Sequence, residues 1–148
     1  MKNNKKTVLI TGAARGIGAA CAEKFATLGY NIVLNYRTSE KQALALAETL
    51  GKNGTEVLCV CADVSDANAV ESLFAQTEAA FGNVDILINN AGISQIKMLC
   101  DVTEADWRQM FAVNMDSAYL CSKRALCAMV TQKWGRIIHI SSMWGICG

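Results

Sequence analysis

The chain has no proline in 148 residues, although average usage of about 5% would supply roughly seven. It also shows no linker, low-complexity tract or internal repeat. It has one histidine, His139, and no Cys-x-x-Cys pair, so a tetrahedral zinc site lacks its usual ligands and no metal is expected. Seven cysteines are present (Cys21, Cys59, Cys61, Cys100, Cys121, Cys127 and Cys147), but the number is odd and each sits among Ala, Leu, Val or Ile. They read as buried, reduced thiols acting as small hydrophobes, not as a disulfide framework. Charge of one sign is lacking too. Lys and Arg number 14 against 13 Asp and Glu, with no basic cluster beyond Lys2, Lys5 and Lys6, so neither nucleic acid nor an acidic membrane surface is an expected partner. No window reaches the roughly 18 apolar residues that span a bilayer. The N-terminal MKNNKK runs straight into a strand-like TVLIT instead of a signal-peptide core, which makes a cytoplasmic location the default.

What the chain does have is 52% hydrophobic and 18% charged residues, the profile of one soluble globular domain. Short Val/Ile/Leu runs at 6–11, 31–36, 55–61, 84–89 and 135–141 read as strands. Between them, helical spacing covers 16–28, 39–51, 66–81 and 103–131. Ser39, Asp66 and Thr103 carry side-chain oxygens that can cap helix N-termini, Thr103 with Asp106 resembling a capping box. Gly29, Gly51 and Gly82 fall where helices should end in a left-handed residue. Strands apolar on both faces and separated by helices imply parallel pairing, so the class is α/β, a doubly wound parallel sheet.

The first strand runs into Thr11-Gly12-Ala13-Ala14-Arg15-Gly16-Ile17-Gly18, a glycine-rich turn opening a helix. Gly12 suits a tight turn, Gly16 a close backbone approach to pyrophosphate, and Gly18 close packing of helix on strand. The helix N-terminus then offers free N–H groups to an anion. Taken alone, the pattern can also be read as a helix-starting turn; its place between two strands favours phosphate binding. The quartet Asn89-Asn90-Ala91-Gly92 ends the fourth strand, at the edge where open α/β sheets bind ligands. After the second strand the chain reads Asn35-Tyr36-Arg37-Thr38. No carboxylate stands there to accept from a ribose 2′-hydroxyl or repel a 2′-phosphate, and Arg37 and Arg15 can pair with one, which favours NADP(H) over NAD(H). Solvated surface arginines are the alternative.

Taken together, the Thr11–Gly18 run, Asp63, Asn89 to Gly92, Asn114 and Ile140-Ser141-Ser142 resemble, in order and spacing, the short-chain dehydrogenase/reductase family, and within it the bacterial 3-oxoacyl-(acyl carrier protein) reductase branch. The resemblance spans the whole chain and implies a Rossmann-type sheet with five strands present. It assigns cofactor contacts to Gly12, Arg15, Gly16, Ile17, Gly18, Arg37, Asp63, Val64, Asn90, Ala91 and Gly92, with Asp63 meeting the adenine ring and Asn89 tying its strand to its neighbours. Asp63 also reads as a neighbour of the Asp66 cap. Ala14 stands where many relatives carry a phosphate-binding serine, leaving more to backbone N–H groups.

The resemblance makes Ser142 the serine that hydrogen-bonds the substrate oxygen and Asn114 the asparagine that anchors a water in the proton relay. The family's Tyr-x-x-x-Lys would fall roughly 13 and 17 residues past Ser142, where a general acid at the carbonyl is needed, beyond Gly148. Tyr119 and Lys123 have the bare spacing but lie inside a helix and read as an i,i+4 pair. Met143 and Trp144 either line the substrate entrance or simply pack, and His139 reads as structural. Residues 1–148 are thus expected to be a single, incomplete dinucleotide-binding domain, lacking the C-terminal part of the fold and inactive alone. The family's Pro-Gly cofactor loop falls in that absent part, which partly accounts for the missing proline. The complete protein is expected to be an NADP(H)-dependent oxidoreductase that reduces a ketone to an alcohol, the ketone being small or carrier-linked, a 3-oxoacyl thioester. Homo-oligomers, tetramers in this branch, are expected of it. Alternatives are a reductase of a ketone on a modified protein side chain and a non-catalytic nucleotide-binding remnant.

Overall fold

Residues 5–145 are described by the computed structural model. The apolar runs form five strands: β1 (Thr7–Ile10), β2 (Asn31–Tyr36), β3 (Val57–Cys61), β4 (Ile86–Asn89) and β5 (Arg136–His139). Helices α1 (Gly16–Thr27), α2 (Glu40–Lys52), α3 (Ala67–Phe81), α4 (Glu104–Phe111) and α5 (Ser117–Thr131) join them. All pairings are parallel and the order is β3-β2-β1-β4-β5. Each crossover carries a helix, and the doubling back from β3 to β4 puts helices on both faces of the sheet.

The period-2 alternation of the strands divides the core in two. Leu9, Val33 and Leu87 point to one face, against Leu73 and Phe74 of α3 and Cys121, Ala125 and Met129 of α5. Val8, Ile10, Ile32, Leu34, Ile86 and Ile88 point to the other, against Ala22 of α1 and Leu50 of α2. Arg124 ties α5 to α3, its Nε donating to Glu71 at 2.7 Å and its two terminal nitrogens to both oxygens of Glu78 at 2.9 and 2.8 Å. Every strand's carboxyl end thereby lies at one edge of the sheet.

Several local expectations need correction. Gly51 lies inside α2; the chain turns with positive φ at Gly54 (φ 79°) instead, because the helix runs on to Lys52. Ser39 precedes α2 but makes no side-chain cap. Asp66 does cap α3, accepting from the Ala69 N–H at 2.7 Å, and the Thr103/Asp106 capping box is complete. The stretch read as one helix over 103–131 is broken by a π-helical turn at Ala112–Asp116. Nor are the cysteines uniformly buried. Of the six described, all free thiols, only Cys121 is fully inside, its pKa pushed up to about 12 by burial. Cys21 and Cys59 are half-buried, while Cys61, Cys100 and Cys127 are exposed; Cys147 lies outside the described residues. β5 is an edge strand with Ile138 exposed, not apolar-covered on both faces.

The capping box has a pH signature. Asp106 Oδ2 accepts from Thr103 N–H (3.0 Å), Thr103 Oγ1 (2.7 Å) and Lys97 Nζ (2.6 Å), and these partners hold its carboxyl far below the usual carboxylate range. A depressed folded pKa contributes stability that is present above the unfolded value of about 3.9 and lost as pH falls below it. Hydrogen exchange should therefore show the first turn of α4 losing protection on acidification below about pH 4, and Asp106→Asn should abolish that dependence. An Asp106 carboxyl that titrates at its ordinary value would refute the assignment.

Candidate functional site

At the carboxyl edge, the loops after β1 and β4 are joined by one hydroxyl. Thr11, 2% exposed, accepts at Oγ1 from the N–H groups of Asn90 and Ala91, both at 2.9 Å, and donates to Ile88 O at 3.4 Å. One donor and two lone pairs are all a hydroxyl has, so Thr11 is saturated. Asn90 answers from the other loop, its Nδ2 donating to Thr11 O (2.9 Å) and Gly12 O (3.1 Å). Gly18 makes room for this. A Cβ there would come within 2.6 Å of Asn90 Nδ2 and 2.8 Å of Gly12 O, so the close approach falls on the two loops more than on the strand.

The loop after β1 is tied sideways as well. Asn35, 1% exposed, accepts from Gly12 N–H at Oδ1 (3.3 Å) and from Ala13 N–H at its carbonyl (2.8 Å), while Nδ2 donates to Ala62 O on β3's side (3.0 Å). Reading the sequence assigned no role to Thr11 or Asn35. The available signal was an asparagine inside the otherwise apolar NIVLNY strand, since a buried amide needs partners.

These loops enclose a cleft of about 540 Å³ lined by Gly12, Arg15, Gly16, Arg37, Asp63, Val64 and Asn90 to Gly92, among others. Nine of the eleven expected cofactor residues are thus brought together, and the other two lie off its wall: Ile17 is exposed and Gly18 is buried. The helices that open on the cleft, α1 at Arg15 and α2 at Ser39, have no side-chain cap, whereas α3 and α4 are capped by their own residues. Uncapped N–H groups and the helix dipole suit an anion. Gly16, with φ 59°, would direct a Cβ into open space with nothing within 4 Å, a gap that lets a ligand meet bare backbone. Asp63 is held below the usual carboxylate range chiefly by Ser65, whose Oγ and N–H reach Oδ1 at 2.6 and 3.0 Å. Its Oδ2 meets Arg37 Nη1 at 3.3 Å.

Beyond Gly92 the cleft gives way to an apolar groove of about 1070 Å³ between α5 and β5. Asn114, in the π turn, borders that groove and clamps the loop after β4, its Oδ1 accepting from Ile93 N–H (2.8 Å) and its Nδ2 donating to Ile93 O (3.0 Å). Asn89 ties β4 to α5 through Ser122 Oγ (3.0 Å) and to β5 through His139 Nδ1 (3.4 Å). Ser141 borders the groove; Ser142 lies exposed just past it, its carbonyl accepting from Gly145 N–H at 3.0 Å. Met143 is exposed, and the Trp144 side chain lies outside the described residues. Tyr119 and Lys123 also border the groove, with Lys123 Nζ 5.7 Å from the Tyr119 ring centre.

A five-stranded parallel sheet flanked by helices, with a glycine-lined cleft at its carboxyl edge, defines a Rossmann-like α/β protein. The chain belongs to the short chain dehydrogenase family, which it matches over residues 6–148, and that family consists of oxidoreductases using nicotinamide cofactors. It is 35% identical over 143 residues to the 3-oxoacyl-(acyl-carrier-protein) reductase of Staphylococcus aureus and 38% identical over 143 to that of Escherichia coli. Each match takes in 97% of this chain but 58% and 57% of the relative, so the chain spans under two thirds of their length. Among solved structures, a metagenomic short-chain oxidoreductase in complex with NADP superposes with a TM-score of 0.88 at 35% identity, covering 93% of this chain and 62% of that one. A Serratia marcescens short-chain dehydrogenase/reductase mutant gives 0.86 at 34%, covering 97% and 58%.

Thr11→Val keeps the shape of the side chain but strands the Asn90 and Ala91 N–H groups. The expected cost is about 1–3 kcal/mol for each buried group left unpaired, read as a lowered urea midpoint. Thr11→Ser should retain most of the stability. Equal stability of the valine and serine variants would show that the hydroxyl is not the tie.

Proposed function

We propose that this chain is the cofactor-binding part of an NADP(H)-dependent oxidoreductase that reduces a ketone to an alcohol, with a 3-oxoacyl thioester as substrate. The observation that carries the cofactor preference is the end of β2. Arg37 borders the cleft beside the uncapped start of α2, Arg15 also lines it, and Asn35-Tyr36-Arg37-Thr38 contains no carboxylate. Two cations and a helix N-terminus suit a dianionic 2′-phosphate. The S. aureus and E. coli relatives are reductases of acyl-carrier-protein thioesters by name, and that likeness supports the substrate class.

In this reading the backbone from Gly12 to Gly18 meets the pyrophosphate at the start of α1, Asp63 and Val64 meet the adenine, and Asn90 to Gly92 back the nicotinamide end. A bound nicotinamide supplies the hydride. The chain's own part is to hold the nucleotide, keep Ile93 and its loop in place through Asn114, and present the Ser142 hydroxyl to the substrate oxygen. The tyrosine that borders the cleft, Tyr36, is unsuited to donate a proton. Its hydroxyl donates to Glu40 at 3.2 Å, and burial and then Glu40 push its pKa up from the ordinary value. In this reading Tyr36 is therefore not the proton donor for turnover. Trp107, Phe111, Met115 and Tyr119 are exposed along α4, the π turn and α5, which supports association of the complete protein through that face.

Fluorescence titration with NADPH and NADH tests the assignment. Arg37→Ala removes a charge-assisted contact of about 1.5–3 kcal/mol, roughly a tenfold to hundredfold loss for NADPH, and should leave NADH binding nearly unchanged. An unchanged NADPH to NADH preference would overturn it.

A further inference from the structure

The ion pair between Asp63 and Arg37 points beyond the separate roles those residues have in the reading above. We propose that Asp63 is a positioning residue for Arg37, and that by bracing the guanidinium at the cleft wall it sets the preference for a 2′-phosphorylated nucleotide. The inference rests on the nucleotide-binding reading and deepens it.

Arg37 is held at both ends by the end of β3. Its carbonyl accepts from Cys61 Sγ at 3.4 Å, and its Nη1 meets Asp63 Oδ2 at 3.3 Å. The Asp63 carboxylate is itself fixed, because Ser65 takes Oδ1 with both its hydroxyl (2.6 Å) and its N–H (3.0 Å). Oδ2 is the oxygen that meets Arg37 while Ser65 holds Oδ1, so the line from Ser65 through Asp63 to the guanidinium has a defined direction. The Arg37 side chain is 55% exposed, and without a brace a side chain that long samples many solvated rotamers. The brace uses one nitrogen. A guanidinium has five N–H donors in a rigid fork, so Nη2 and Nε stay available for a phosphate. Asp63 therefore orients Arg37 rather than neutralising it, and its Oδ2 keeps acceptor capacity for an adenine amine.

Bracing and competition predict opposite signs, so the nucleotide ratio separates them. Calorimetric titration of the protein with NADP+ and NAD+ gives the affinity ratio for the unaltered chain and for its variants. Loss of an adenine contact weakens both nucleotides alike and cancels in that ratio. Asp63→Asn should weaken NADP+ about fivefold more than NAD+, and this excess should vanish in an Arg37→Ala background, as a double-mutant cycle requires. Ser65→Ala removes the short bond to Oδ1 and leaves both ion-pair partners in place. It should shift the ratio the same way by about twofold, which keeps the test alive if Asp63→Asn folds poorly. An unmoved ratio, a ratio shifted toward NADP+, or an excess that survives Arg37→Ala overturns the brace alone. No NADP+ binding by the unaltered protein overturns the nucleotide reading and the brace with it.

Discussion

The site depends on the Thr11 hydroxyl. A parallel sheet brings the loops after β1 and β4 to the same edge, but it does not fix their distance or tilt, and both loops line one cleft. Thr11 spends its whole hydrogen-bonding capacity on that junction, with two N–H groups of the β4 loop on its oxygen and its proton on Ile88. Asn90 returns two bonds to the β1 loop, and Asn35 extends the tie to β2 and β3. Buried polar groups in an otherwise apolar layer are costly unless satisfied. Where they are satisfied, only one relative placement of the loops meets the condition. The cleft therefore inherits its shape from a hydrogen-bond network in the core.

The treatment of helix ends follows the same division between structure and site. Away from the cleft, α3 and α4 carry caps at Asp66 and Thr103, each worth about 1 kcal/mol in typical cases. On the cleft, α1 and α2 begin without side-chain caps, at Arg15 and Ser39. Their first N–H groups are left to solvent or a ligand. Local stability is forgone where an anion can supply the partner, and the nearby cations add to the same field.

Much of this was legible in the sequence, and the exceptions have physical causes. The apolar runs located every strand, because the central strands are buried on both faces and each carries an unbroken run of three Val, Ile or Leu residues. Asp66 and Thr103 cap as their residue types suggest, because both have the extended backbone that lets a side-chain oxygen fold back onto the helix. Ser39 has the right side chain, but its ψ of 51° departs from that geometry, and residue type cannot reveal a dihedral angle. Gly51 and Gly54 are equally good helix enders on paper, and what separates them is how far α2 extends along β3. The cysteines failed for another reason. Apolar neighbours in sequence say that an element has a buried face, not that a given residue lies on it, and Cys61 and Cys127 fall on open surfaces. The π turn at Asn114 has no signature in residue type either, although such turns are common at functional sites.

Spacing motifs show the same limit most clearly. On any α-helix, residues four apart are neighbours, so Tyr119 and Lys123 meet, 5.7 Å from ring centre to amine, whatever the helix does. Chemistry comes from the surface the pair borders and from what else borders it. Tyr119 and Lys123 look onto the apolar groove between α5 and β5, whereas the arginines, the bare glycine backbone and the uncapped helices line the cleft on the far side of Gly92. Tyr36 stands in the cleft without a lysine four residues on, and Glu40 occupies that position instead and takes its hydroxyl proton in a hydrogen bond. A carboxylate there raises the phenol's pKa where an ammonium would lower it. The same four-residue spacing thus places a carboxylate by one tyrosine and an ammonium by the other, and only the fold decides which one borders the cleft.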